Sequence, residues 1–190
     1  MAASPDLKVT SEMLWQAAVI FFVVDAVLAF LLTRRTTPVF FRELKWTLVI
    51  TTTIFWGLLW LSMSTFFWEP VYHYVFPEWS RWFIPPLYGI FFGIVGFFFW
   101  WIVLRMPGNT VVEFLLAGGM WGTVTHCWAV GRGLLEKPPM LQGVSTLSAV
   151  VMPFFEFMFY WSVILGIASL IQSGRQKRKL APHVHLQTAR

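Results

Sequence analysis

The sequence predicts an all-α, polytopic membrane bundle of about five transmembrane helices, with the N-terminus outside and the C-terminus inside. Three observations predict it. Apolar residue types make up 57% of the chain and charged ones only 12%, outside the range of soluble globular domains. The apolar residues gather into five runs, at 14–33, 46–67, 84–104, 111–130 and 150–171, each close to the roughly 20 residues a helix needs to cross hydrocarbon. Of the 14 Lys and Arg residues, ten (Arg34, Arg35, Arg42, Lys45, Arg105, Arg175, Lys177, Arg178, Lys179, Arg190) fall on one side of such a bundle. The other side keeps Lys8, Arg81, Arg132 and Lys137. That asymmetry sets the orientation by the positive-inside rule, and it also reads the net charge of +5 as topology signals rather than a nucleic-acid footprint. The domain plan is one membrane domain, 1–172, followed by a basic cytoplasmic tail, 173–190.

The first twelve residues contain Asp6, Lys8 and Glu12 and lack the basic start of a secretory signal, so the run behind them is expected to stay as the first helix. That helix carries Asp25 near its centre, with no basic residue within two turns. The bland reading is a neutral carboxyl hydrogen-bonded to a neighbouring helix; the functional one is a proton or cation site. The connector RRTTPVFFRELK, basic with an aromatic pair, is expected to lie along inner headgroups. After the second helix, STFFWEPVYHYVFPEWSRWF is dense in Trp, Tyr and Phe and interrupted by Pro70 and Pro77, as interfacial anchors are. Glu69 and His73, four apart, are two candidate ligands without a third, so the anchor reading outweighs a metal one.

The third helix opens with Pro85 and Pro86, where missing N–H groups matter least. It then places Gly89, Gly93 and Gly96 on one face, and the fourth has its own small face of Gly118, Gly119, Gly122, Ala129 and Gly133. Those two faces are expected to meet. Thr110 and Glu113 fit a capping box, which explains Glu113 without chemistry. In the fifth helix Pro153 would leave the Ala149 carbonyl without its usual donor. The tail's clustered cations suit anionic lipid, and its His183 and His185 pair is more often incidental than a metal site. Trp56-Gly57 followed by Pro85, and Trp121-Gly122 followed by Pro153, form a short recurrence that 12 tryptophans could produce by chance.

The stretch that could carry chemistry holds His126 and Glu156. At the helical rise they lie about 8 Å and about 7 Å outward of their helices' midpoints, so contact is expected. With Asp25 they could line one polar pocket. Ionisable groups inside a span usually face protein and lean toward function; the bland reading is a buried pair that fixes helix register. A neutral histidine beside a carboxyl can pass a proton either way, which suits acid–base work. His126, Glu156 and Asp25 are therefore the candidate catalytic residues, and Trp121, Gly122, Phe155 and Tyr160 the candidate binding residues. The lone Cys127 excludes an intramolecular disulfide.

No dinucleotide fingerprint, P-loop, GxSxG elbow or HExxH motif is present. Over a few residues around Pro153 and Glu156 the chain resembles the helix of the small membrane-embedded lycopene cyclases that carries a proline and then adjacent acids. Here a single acid stands between Phe155 and Phe157, and that family is not assigned. The leading expectation is a cell (inner) membrane protein with an aromatic-lined pocket for a lipid or isoprenoid-like molecule. Membrane lipids and an apolar small molecule are the expected partners, nucleic acid is not, and a homo-oligomer or membrane complex is compatible. A small proton-coupled transporter using Asp25, Glu156 and His126, and a structural or assembly subunit, are the alternatives.

Overall fold

The structure, a computed structural model, describes the backbone of residues 8–187 and the side chains of residues 8–178. Six α-helices make up the fold, and no strand occurs among the described residues: α1 Ser11–Arg35, α2 Pro38–Glu43, α3 Lys45–Phe66, α4 Ile84–Val103, α5 Thr110–Gly131 and α6 Thr146–Gln187. Of these, α1, α3, α4 and α6 are long and apolar enough to cross a membrane. The predicted fourth span forms as α5. It is diluted by Glu113, His126 and a set of glycines, and does not reach the same apolar standard.

Helix starts follow local chemistry. The Thr10 hydroxyl accepts from the Met13 N–H, and Thr37 does the same for Phe40 ahead of Pro38. At α5 the cap is Asn109, whose side chain accepts from the Val111 and Val112 N–H groups, while Glu113 reaches back to the Gly108 N–H. The expected Thr110–Glu113 box is thus displaced by one residue, because Asn is a strong N-cap and leaves Thr110 as the first helical residue.

α1 is apolar toward the outside and not toward the protein. Val19, Ile20, Phe22, Val23 and Val27 are exposed, whereas Ala18, Asp25 and Leu32, spaced by seven, are buried. Lipid is as apolar as leucine, so the lipid face is free to carry the large hydrophobic groups and the inner face is chosen for fit. The threonines of α3 follow the same logic: Thr52 and Thr53 return their hydroxyls to the Leu48 and Val49 carbonyls, so that neither hydroxyl is left bare.

The glycine faces do not meet as the sequence suggested. Gly89 and Gly93 of α4 press on Thr53, Gly57 and the Val49 carbonyl of α3, and Gly118, Gly119 and Gly122 of α5 press on Trp161, Met158, Phe154, Phe157 and the Pro153 carbonyl of α6. Each glycine face closes its own hairpin, α3 with α4 and α5 with α6, and the two hairpins meet one another less extensively. A glycine lets a neighbouring backbone or a bulky ring come into close contact, and here the helix next in the hairpin supplies both. In both hairpins the recurrent residues face each other, Gly57 the Pro85 carbonyl and Gly122 the Pro153 carbonyl. α6 is the hub, packed on α1, α3 and α5, with Trp161, Ile164, Leu165 and Ala168 fully buried.

The two ends of the bundle differ. At the basic end α2 is more than a surface anchor, since Phe41 is fully buried and its carbonyl accepts from Trp100 Nε1 at 3.0 Å. α6 runs on beyond the expected span into the tail, where Gln172 and Arg175 bond Thr47 and Gln176 bonds Glu43. The side chains of His183 and His185 lie outside the described residues, as does Asp6. At the opposite, aromatic end the loops 67–83 and 132–145 come together with the N-terminus, tied by Val9 N–H to the Met140 carbonyl and Ser145 N–H to the Ser11 hydroxyl.

Candidate functional site

Between the hairpins, at the aromatic end, lies a cavity of about 460 Å³, within the usual size range of ligand pockets. α3 and α4 contribute Trp56, Trp60 and Tyr88; α5 and α6 contribute Trp121, His126, Glu156 and Tyr160; Tyr72 and Leu135 come from the two loops above. The cavity exists because the glycine seams draw each hairpin tight while large aromatic side chains hold the hairpins apart.

Glu156 Oε1 accepts from the Tyr160 hydroxyl at 2.5 Å, one turn along the same helix. His126 Nδ1 lies 2.9 Å from the Gly122 carbonyl. A carbonyl only accepts, so Nδ1 carries the hydrogen, and in the neutral ring Nε2 presents a lone pair. The Tyr72 phenol lies in the loop outside the spans. Burial above all, with Glu156 and Tyr88 nearby, pushes it up to about 12, so it remains a hydrogen-bond donor at neutral pH.

His126 and Glu156 line this cavity together, and both also line a second, smaller one of about 150 Å³ that reaches Glu136, Thr146 and Ser148 beside the loops. They stand on the partition between the two spaces. They do not bond each other directly: each is committed to a neighbour on its own helix, and no ion pair joins them. The expected pair is therefore two groups facing shared space, which a small molecule or water could bridge.

Asp25 is not in this pocket. It is 1% exposed, faces neither cavity, and neither carboxylate oxygen has a partner among the described residues. Its face of α1 packs on α6 one turn from the Phe21–Phe159 and Phe22–Phe155 contacts. Phe155 is used in that contact and does not line either cavity. Trp121 and Tyr160 line the larger cavity. Gly122 stands behind it, its carbonyl holding His126 and its bare α-carbon seating Phe157. Glu69 lies 4.0 Å from Arg81, while His73 stacks on Tyr74, and no cluster of three metal-ligating residue types occurs among the described residues.

No protein-family model, curated protein or solved structure matches the chain. The site stands on its geometry alone.

Sequence reasoning missed Trp56, Trp60, Tyr72 and Tyr88. One signal could have found them: the chain has 20 phenylalanines and only four tyrosines, and three of those four, Tyr72, Tyr88 and Tyr160, line the cavity. In so Phe-rich a chain a tyrosine marks a place where a hydroxyl is needed.

Proposed function

We propose that the protein is a five-span membrane protein, N-terminus out and C-terminus in, that binds a lipid- or isoprenoid-like molecule between its two hairpins. The observation that carries this reading is the aromatic cavity of about 460 Å³, whose only acidic or imidazole groups among the described residues are Glu156 and His126. The apolar body of the ligand would lie against the Trp and Phe walls, and its polar end against Glu156, Tyr160 and His126 Nε2. A lone pair on Nε2 and a carboxyl on the facing wall also suit acid–base chemistry on that end. Asp25, buried without a partner, favours a proton-coupled transporter as the second reading.

The test is to fill the space. Ala129 lines the cavity, and Ala129→Trp should strip a co-purifying lipid, read by mass spectrometry of the extracted protein, at least tenfold. Asp25→Asn should leave that lipid in place. A lipid content unchanged by Ala129→Trp removes the pocket reading, whereas loss on Asp25→Asn moves the weight to the transporter.

Orientation and span number have their own expected result, most simply in a cell (inner) membrane. In a Cys127→Ser background, Glu136→Cys should react with an impermeant thiol reagent in intact cells and Lys177→Cys should not. The basic residues crowded at the second position dictate that outcome. Reaction at Lys177→Cys and not at Glu136→Cys would reverse the orientation.

A further inference from the structure

The pocket's charge pattern narrows the ligand class. Among the described residues Glu156 is the single carboxylate lining the larger cavity, no Lys or Arg lines it, and the one basic side chain there, His126, makes no ion pair with Glu156. Tyr160 satisfies Oε1. Oε2 accepts from no group among the described residues and is not sealed among the buried, unpartnered atoms, so it is open to the space that Glu156 lines. In the larger cavity with Glu156 stand aromatic rings in mutual contact: Trp60 lies 4.3 Å from Tyr88 and 5.2 Å from Tyr72, and Trp56 lies 5.4 Å edge-on to Tyr160, measured between centroids.

A carboxylate held in a low-dielectric pocket is stabilised by a positive partner that brings its own hydrogen bonds or close contacts. Aromatic faces carry negative charge density and attract a cation within about 6 Å. The two features select the same guest. A phosphate would set its negative charge against the Glu156 carboxylate with no Lys or Arg among the described lining residues to offset it. A metal ion would find too few ligands, and a neutral lipid would leave the carboxylate's charge uncompensated.

We propose that the larger cavity binds a lipophilic organic ammonium, its charged nitrogen between Glu156 and the rings of Trp56, Trp60, Tyr72, Tyr88 and Tyr160, and its apolar body between the hairpins. This rests on the pocket reading above and names its ligand class.

The experiment titrates the full-length protein in a neutral maltoside detergent with decyltrimethylammonium and, as the uncharged match, 1-decanol, reading affinity by calorimetry. The ammonium should bind at least tenfold more tightly than the alcohol. Glu156→Gln, which keeps the side chain's shape and an acceptor for Tyr160, should remove tenfold or more of the ammonium affinity and change the alcohol's less than twofold. Trp60→Leu should weaken the ammonium at least threefold. Should Glu156→Gln elute as an aggregate, Glu156→Asp, which withdraws the carboxylate by one methylene, should show the same selective loss. Equal affinity for the two probes, untouched by either Glu156 variant, overturns the ammonium assignment and leaves the pocket standing. Binding of both probes that survives Ala129→Trp, or no binding of either, overturns the pocket reading and this one with it.

Discussion

Trp161→Ala should lower the unfolding free energy by about 3 kcal/mol or more, read by denaturant titration in mixed micelles with far-ultraviolet circular dichroism. The ring is fully buried and touches three other helices. It lies 5.1 Å from Phe99 of α4 and 5.4 Å, edge-on, from Phe114 of α5, and it presses on the α-carbons of Gly96 and Gly118. In lipid little of its worth is transfer from water, because the surrounding chains are already apolar; what is lost is contact, and the two glycines cannot move in to refill the space. Its Nε1 has no hydrogen-bond partner, so Trp161→Phe loses ring area and no hydrogen bond, and should cost less than half as much. A Trp161→Ala protein within about 0.5 kcal/mol of the parent, the usual range for surface changes, would show that this socket does not join the helices.

The seams give the second large effect. Gly89→Leu and Gly122→Leu should each cost about 3 kcal/mol, the upper part of the range for overpacking. At Gly89 a Cβ would collide with the Thr53 carbonyl, and at Gly122 with the Pro153 carbonyl and the Phe157 ring. Those obstacles are largely backbone, which yields only if the hairpin opens. Gly131 at the end of α5 has nothing within 4 Å, and Gly131→Leu should be neutral or slightly favourable on helix propensity. Similar thermal stability for Gly131→Leu and Gly122→Leu would mean that the close approach of α5 and α6 is not what holds them.

The helices were legible because their signals are redundant. Length, apolarity and flanking charge all mark α1, α3, α4 and α6, and the boundaries shift by only a few residues except at the C-terminal end of α6, which runs on from the expected 171 to Gln187. Pairing was not legible. A glycine face says that something comes close but not what, and here the partner was the Thr53 and Gly57 face on one side and the Phe157–Trp161 face on the other. His126 and Glu156 could be brought to one place from depth along the helix, since the rise per residue is fixed. Their lack of a direct bond could not, because rotation about the helix axis decides that, and each had a nearer partner in Gly122 or Tyr160. Asp25 was legible as buried and not as separate, for the same reason. The loop aromatics read as membrane anchors; that Tyr72 turns inward depends on how residues 67–83 fold over the cavity.

The two tight hairpins and the looser contact between them imply an order of assembly. Each seam joins helices that are neighbours in sequence, so α3 with α4 and then α5 with α6 can close as the chain is made, before distant segments are available. The cavity belongs to neither hairpin and comes into being only when they dock, a step that joins segments more distant in sequence and so follows the closing of each hairpin. A ligand of that cavity, as proposed above, would act on this step by mass action, holding the halves together more firmly as its concentration rises over its dissociation constant. An empty protein would then part along this plane first, with each helical pair still intact.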